Sequence, residues 1–157
     1  MPKVRYLTPH FTLEEMVFSQ TAARQGIANT PSEQVIHNLQ RVCRALEMVR
    51  EEMGELPVIV SSGYRSAALN SAVGGAANSR HVQGLAVDFT VPRYGPTLQV
   101  ARTIATCGLQ FDQIIHEYGR WVHLGLAPEG VAMKGERLSI FAGTGYLEGL
   151  RAAPPVA

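Results

Sequence analysis

Apolar residues recur at three- and four-residue steps over positions 35–53, which places them on one stripe of a helix. The stripe consists of Val35, Leu39, Val42, Leu46, Val49 and Met53. Thr30 is the predicted N-cap, since Pro31 follows at the first helical position and Glu33 stands three residues on. Gly54 is predicted to end this helix. It is the longest helix in the prediction, and we expect it to form the scaffold of the core.

Three shorter helices are predicted from capping residues and glycine stops. Thr12, with Glu15 as its capping-box partner, should begin a helix over 13–24 that stops at Gly26. Further helices are predicted over 66–73, before two glycines, and over 96–107, before Gly108.

Runs of β-branched and apolar residues predict the strands. They lie at 56–61 and 85–91, in a hairpin of 113–117 with 121–126, and at 138–141. Strands mixed with helices in this order predict an α+β fold, with a single small antiparallel or mixed sheet and flanking helices. We predict one domain over 1–150 and a flexible Ala/Pro-rich tail over 151–157.

Composition narrows the functional classes. A chain of 157 residues with 46% hydrophobic and 17% charged residues is typical of one folded domain. Its net charge of +1 disfavours nucleic-acid binding, and no apolar run approaches the roughly 18 residues of a membrane span. The N-terminus lacks the apolar stretch of a secretory signal, so we expect synthesis in the cytoplasm without a signal peptide. A monomer is the default for such a domain.

Two histidines and an aspartate have the spacing of an open metal site. His81 and Asp88 are seven residues apart and bracket a turn at Gly84, whereas His123 lies on another strand of the same predicted sheet. A catalytic zinc keeps three protein ligands and one position for water. Spacing alone leaves the other interpretation open, because isolated histidines are more often surface or core residues.

Three motifs in order resemble the M15 zinc peptidases, which include D-alanyl-D-alanine carboxypeptidases and phage endolysin peptidases. Residues 79–88 match the signature Ser-x-His-x-x-Gly-x-Ala-x-Asp at every defined position, with Arg80 where the phage branch often has Gln. Residues 62–66 resemble the family's Ser-Gly-Tyr-Arg-Ser stretch, and residues 121–123 its Trp-x-His segment. The resemblance covers roughly 11–126 and implies the hedgehog-like fold of these peptidases.

The resemblance implies a role for each candidate residue. His81, Asp88 and His123 would hold Zn²⁺, and Glu117, six residues before the last zinc histidine, would be the acid–base group. Hairpin geometry leaves an alternative open. A three-residue loop at 118–120 puts Glu117 on the face of His123, whereas a two-residue turn puts His116 there.

Two further residues are candidates for substrate binding. Arg65 matches the family arginine, and a guanidinium grips a carboxylate through two parallel hydrogen bonds; the alternative is a surface ion pair. Ser79 either orients the substrate or bonds a neighbouring backbone amide.

The expected function is a zinc metallopeptidase that hydrolyses peptidoglycan stem or cross-link peptides, as a carboxypeptidase or an endopeptidase of phage or prophage type. It would act at the bacterial cell wall, released through a holin or carried in a virion. The alternative is a non-catalytic zinc domain that binds the cell wall or a partner, although such a domain would usually have lost a ligand or the acid–base group.

Overall fold

A computed structural model describes residues 3–155 as α-helices, a six-stranded mixed β-sheet and a separate two-stranded ribbon. The α+β prediction is confirmed. The strands are β1 (Tyr6–Thr8), β2 (Phe11–Thr12), β3 (Ile59–Ser62), β4 (Ala86–Thr90), β5 (Gln113–Glu117), β6 (Trp121–Gly125), β7 (Glu136–Ile140) and β8 (Leu147–Glu148). The helices are α1 (Leu13–Val17), α2 (Gln20–Gln25), α3 (Glu33–Glu52), α4 (Ala67–Ala72) and α5 (Thr97–Thr106), with a 3₁₀ turn at Arg80–Gln83.

Six strands form the main sheet in the order β3-β4-β6-β5-β7-β8. Neighbouring strands are antiparallel except β5 and β7, which run parallel. Side chains alternate between the faces of a strand, so the register decides which residues meet on each face. Asp88 lies opposite His123, and Glu117 lies opposite Trp121.

The core lies between α3, α5 and one face of the sheet. The predicted apolar stripe of α3 is buried there, apart from half-buried Val35. It packs with residues from β4, α5, β5 and β6, namely Val87, Phe89, Val100, Ile104, Ile114, Val122 and Leu124. Burial of this apolar surface is the main favourable contribution to folding, and it leaves the opposite face of the central strands available for polar residues.

The helix predicted over 13–24 is wrong as one element. Thr12 caps α1 and forms the predicted capping box with Glu15, but Phe18 is extended and Ser19 caps a second helix, α2. Gly26 ends α2 in the left-handed conformation. The N-cap of α3 is Ser32, whose hydroxyl accepts from Val35 N–H, and not Thr30.

The main differences from the predicted strands lie outside the central strands β4, β6 and β5, and β3 begins at Ile59, three residues after its predicted start. The ribbon of β1 with β2 and the short strand β8 were not predicted, and β7 begins at Glu136, two residues before its predicted start. The tail boundary at 150 remains a prediction. Within the described part of the tail, Arg151 N–H donates to Ser139 Oγ and its carbonyl lies 2.9 Å from His116 Nδ1. Over residues 3–155, no helix combines the length and apolar character of a membrane span.

Candidate metal centre

Three side chains from separate segments meet on the polar face of the sheet. His81 comes from the 3₁₀ turn, Asp88 from β4 and His123 from β6, and all three are buried. Asp88 Oδ1 lies 3.3 Å from His81 Nε2 and 2.9 Å from His123 Nδ1. One donor atom from each residue lies within 4.8 Å of the others. The structure therefore brings together the three predicted metal ligands.

Backbone geometry fixes the direction of the His81 ring. Its Nδ1–H donates to Gly63 O at 2.7 Å, so Nε2 faces Asp88. Ligating histidines typically donate their second ring nitrogen in this way. Gly63 is required by close packing, since a Cβ there would clash with the Met16 carbonyl oxygen and lie 3.0 Å from its carbon.

The electrostatics of the centre favour an ionised aspartate. Burial disfavours the Asp88 carboxylate, but the imidazoles of His81 and His123 outweigh burial and lower its pKa. In turn, burial disfavours the His123 imidazolium, yet the hydrogen bond and charge of Asp88 raise the pKa of His123 in the metal-free protein. A charged oxygen between two imidazole nitrogens is a suitable donor set for zinc.

Arg65 lies beside the second carboxylate oxygen of Asp88, the one that does not face the two histidines. Its Nη2 lies 3.6 Å from Asp88 Oδ2, while its other nitrogens donate to Ser62 Oγ at 3.3 Å and Asn70 Oδ1 at 3.2 Å. The side chain is 18% exposed and lines the cleft at the metal centre. Arg65 is therefore not the surface ion pair that the sequence left open, because its partner is the buried candidate ligand Asp88.

The hairpin has the three-residue loop, so Glu117 and His123 share a face. Glu117 Oε1 lies 3.8 Å from His123 Nδ1, and Trp121 Nε1–H donates to Glu117 Oε2 at 2.9 Å. Burial and the nearby charge of Asp88 raise the pKa of Glu117. A raised pKa brings this carboxyl group, which lies beside the candidate ligands, closer to the range in which acid–base catalysis is efficient.

The two-residue turn, and with it the placement of His116 beside the metal, is not what the structure shows. His116 pairs with Val122 on the opposite face of the hairpin and is 3% exposed. Its ring nitrogens lie 2.8 Å from Thr97 Oγ1 and 2.9 Å from Arg151 O. His116 thus joins α5 to the C-terminal segment and lies away from the cleft.

Ser79 lies at the start of the 3₁₀ turn, where its Oγ accepts from His81 N–H at 3.2 Å. This is the backbone bond that the sequence left open as one of two roles. Ser79 also lines the cleft, so its role towards substrate remains a prediction.

Asn70 and Tyr146 are site residues that sequence reasoning missed. Asn70 is 4% exposed, and besides Arg65 it binds Ala76 O at 2.8 Å, so it connects the arginine to the loop before the 3₁₀ turn. The available signal in the sequence was a polar residue, Asn70, directly after the apolar Leu69 in the helix predicted over 66–73. Tyr146 is 62% exposed and lines the same cleft, whose volume is about 1050 Å³. No local pattern placed it there, because it follows the unpredicted turn between β7 and β8.

The match to a known family agrees with this geometry. The model of the family Peptidase M15 matches residues 9–125, well over half of the chain. The chain belongs to the Peptidase M15 family. The predicted family is therefore confirmed, and the three side chains predicted to hold its zinc lie together in the structure.

One curated relative has a stated activity. Over 44 residues the chain is 51% identical to the zinc D-Ala-D-Ala carboxypeptidase of Streptomyces albus G. The aligned stretch covers 28% of this chain and 17% of that protein. The similarity is thus confined to a small part of the relative.

Proposed function

We propose that this M15 chain hydrolyses a peptide bond in the stem or cross-link peptides of peptidoglycan. The observation that carries the proposal is the arrangement of His81, Asp88 and His123 around one point, with Glu117 beside them in an open cleft. The peptidoglycan substrate is proposed from the sequence motifs and from the carboxypeptidase similarity.

His81, Asp88 and His123 would hold the metal through His81 Nε2, a carboxylate oxygen and His123 Nδ1. When bound, zinc supplies Lewis acidity, which polarises a carbonyl and makes hydroxide available near pH 7. The chain's own contribution is to hold the donor atoms in place through the Gly63 carbonyl and the Arg65 guanidinium.

Glu117 is the proposed acid–base group. Trp121 fixes Oε2, which leaves Oε1 on the side of His123. From that position the carboxylate accepts a proton from the attacking water and passes it to the leaving amine. Because its pKa is raised, Glu117 is better suited than an ordinary surface glutamate both to accept this proton and to release it again.

Arg65 and Ser79 are the proposed substrate contacts. Because the guanidinium has five N–H donors, the bonds of Arg65 to Ser62 and Asn70 leave donors free for a substrate oxygen. Ser79 Oγ accepts one backbone bond, so its own hydrogen remains available to a substrate carbonyl.

A phage or prophage origin, a site of action at the bacterial cell wall and a monomeric state are part of the same proposal. The support is the resemblance of the motifs to the compact phage branch of the family. In this proposal the protein would reach the wall through a holin or as part of a virion.

The decisive test is mass spectrometry of stem peptides and sacculi after incubation with zinc-loaded protein. We expect products that disappear after EDTA treatment. Release of one D-Ala would establish a carboxypeptidase, whereas cleavage within the stem or cross-link would establish an endopeptidase. No metal-dependent product on several wall types would contradict the proposal and favour a binding domain.

The matched variant is Glu117→Gln, which keeps the shape of the side chain and removes its charge. It should retain zinc and lose at least ~10²-fold in rate, the low end expected for acid–base catalysis. Near-normal turnover by this variant would show that Glu117 is not the acid–base group.

A further inference from the structure

A second cavity, of about 690 Å³, adjoins the metal cleft across two aromatic side chains. Tyr118 and Trp121 line both spaces. Their ring centroids are 5.6 Å apart, so together they form the boundary between the two spaces. Because Trp121 also donates to Glu117, the second cavity begins one side chain away from the proposed acid–base group.

The boundary is held by the backbone. Tyr118 has a φ of 57°, a left-handed conformation that is unfavourable for a residue with a bulky side chain. Its N–H donates to Ile140 O at 2.8 Å, which ties the hairpin loop to the end of β7. Next to that contact, Phe141 N–H donates to Thr144 Oγ1 at 2.9 Å and closes the turn that lines the cavity. These bonds hold the hairpin side and the 141–144 side of the cavity in place.

The lining of the second cavity combines apolar surface with one cation. The apolar part is Trp121, Phe141, Ala142, Ala153, Pro154 and Pro155, and the cation is Arg120. Arg120 is exposed and forms no ion pair with any carboxylate of residues 3–155. In the metal cleft, by contrast, Arg65 pairs with Asp88 and Arg80 with Asp112. The guanidinium of Arg120 is thus available to an anionic ligand.

Most of this lining comes from the part of the chain after the family match. Residues 141–144 and 153–155 lie beyond residue 125, where the match to Peptidase M15 ends. Only the hairpin positions 118, 120 and 121 lie within it. The second cavity is therefore built by this chain's C-terminal segment.

We propose that the second cavity is a substrate subsite for a carboxylate-bearing peptide segment remote from the scissile bond. The carboxylate binds Arg120, and the small apolar part of the segment packs against Trp121 and Phe141. The identity of the peptide rests on the proposed function. The subsite makes the protein selective for peptides that extend past the metal cleft.

Trp121 provides a direct readout of binding, because it is the only tryptophan of the chain and lines both spaces. Two peptides are compared: a D-Ala-terminated stem pentapeptide with its glutamate carboxylate free, and the same peptide with that carboxylate amidated. Binding is titrated by tryptophan fluorescence on zinc-loaded Glu117→Gln protein, in which turnover is slow. In parallel, kcat and KM for both peptides are measured on the protein that retains Glu117.

We expect amidation to weaken binding about tenfold, the size of one charge-assisted contact. After Arg120→Gln the two peptides should bind within about twofold of each other, and KM rather than kcat should carry the effect. The matched control is Arg93→Gln, which removes an exposed arginine that lines neither space and should preserve the tenfold difference.

Two results separate this inference from the proposed function. If the peptides are cleaved but amidation weakens binding equally with and without Arg120, the proposed subsite is wrong and the proposed peptidase function stands. If binding depends on Arg120 but no peptide is cleaved, the subsite stands and the peptidase is wrong.

Discussion

The two faces of the β5–β6 hairpin each carry a buried histidine, yet the two histidines have different surroundings. His123 is 7% exposed and His116 3% exposed, so burial does not distinguish them. The Nδ1 atom of His123 lies beside two carboxylates, Asp88 at 2.9 Å and Glu117 at 3.8 Å. The nitrogens of His116 meet a hydroxyl and a carbonyl oxygen, both neutral.

This comparison shows that the neighbours of an imidazole, more than its burial, decide what it can do. A metal site needs several donors aimed at one point, and the polar face supplies them through Asp88 and His81. On the other face His116 packs edge-on against Phe141, with ring centroids 5.7 Å apart, and holds chain segments together. Because side chains alternate between the two faces of a strand, the hairpin places the candidate metal ligand His123 on one face and the packed His116 on the other.

The largest expected effect is on zinc content. His123→Ala should reduce zinc affinity more than ~10²-fold, beyond the 10–100-fold typical of removing a group that only orients a ligand. His116→Ala should keep one zinc per chain. The zinc content of the two purified variants is measured after dialysis against the same zinc buffer. Equal losses of zinc would contradict the assignment of metal binding to the face of His123 alone.

Gly63→Ala should weaken the polar face by displacing the carbonyl that holds His81. The added Cβ meets the Met16 backbone, so β3 or α1 must shift. We expect zinc affinity to fall about 10–100-fold, as for loss of an orienting group. Competition with a chromogenic chelator measures it. Gly145→Ala is the control, since nothing lies within 4 Å of a Cβ there. Unchanged zinc affinity in Gly63→Ala would show that the Gly63 carbonyl does not orient His81.

His116→Ala should instead lower stability, by about 2 kcal/mol, because it leaves a cavity and removes the partner of the Arg151 carbonyl. Urea unfolding of the zinc-free protein measures this without the metal contributing. Comparison with Thr97→Val and the double variant gives the coupling between the two side chains. Additive effects would show that the contact of His116 with Thr97 contributes nothing.

The smallest effect is expected for Trp121→Phe, which removes the hydrogen bond to Glu117. That bond lowers the pKa of Glu117, against the larger raising effects of burial and Asp88. Without it the pKa rises further, so the acidic limb of the kcat/KM profile should move to higher pH. The alkaline side should change little. An acidic limb that stays in place would show that another group controls it.

Local patterns predicted the elements that the site depends on. The capping box at Thr12, the α3 stripe and the hairpin were all visible because their determinants lie within a few residues of each other. The hairpin pattern left two registers open. The structure decides between them, and that choice puts Glu117 rather than His116 on the metal face.

Some of the remaining features depend on contacts between residues distant in sequence, and others are local departures from the expected pattern. The partners of His116 come from α5 and from the C-terminal segment, 19 and 35 residues away. The Asn70–Arg65 contact depends on how α4 packs, and the break at Phe18 interrupts a pattern that reads as one helix. No spacing rule contains the long-range contacts of His116, since they are fixed only when the chain packs.

The proline pair at 154–155 has a practical consequence for protein engineering. Both rings line the second cavity, and the segment before them is fastened through the Arg151 carbonyl and amide. Proline fixes φ, which restricts the backbone at these two positions. An affinity tag or fusion partner attached behind it would be directed to the rim of that cavity. Recombinant versions intended for substrate assays should therefore avoid a fusion junction directly behind Pro155.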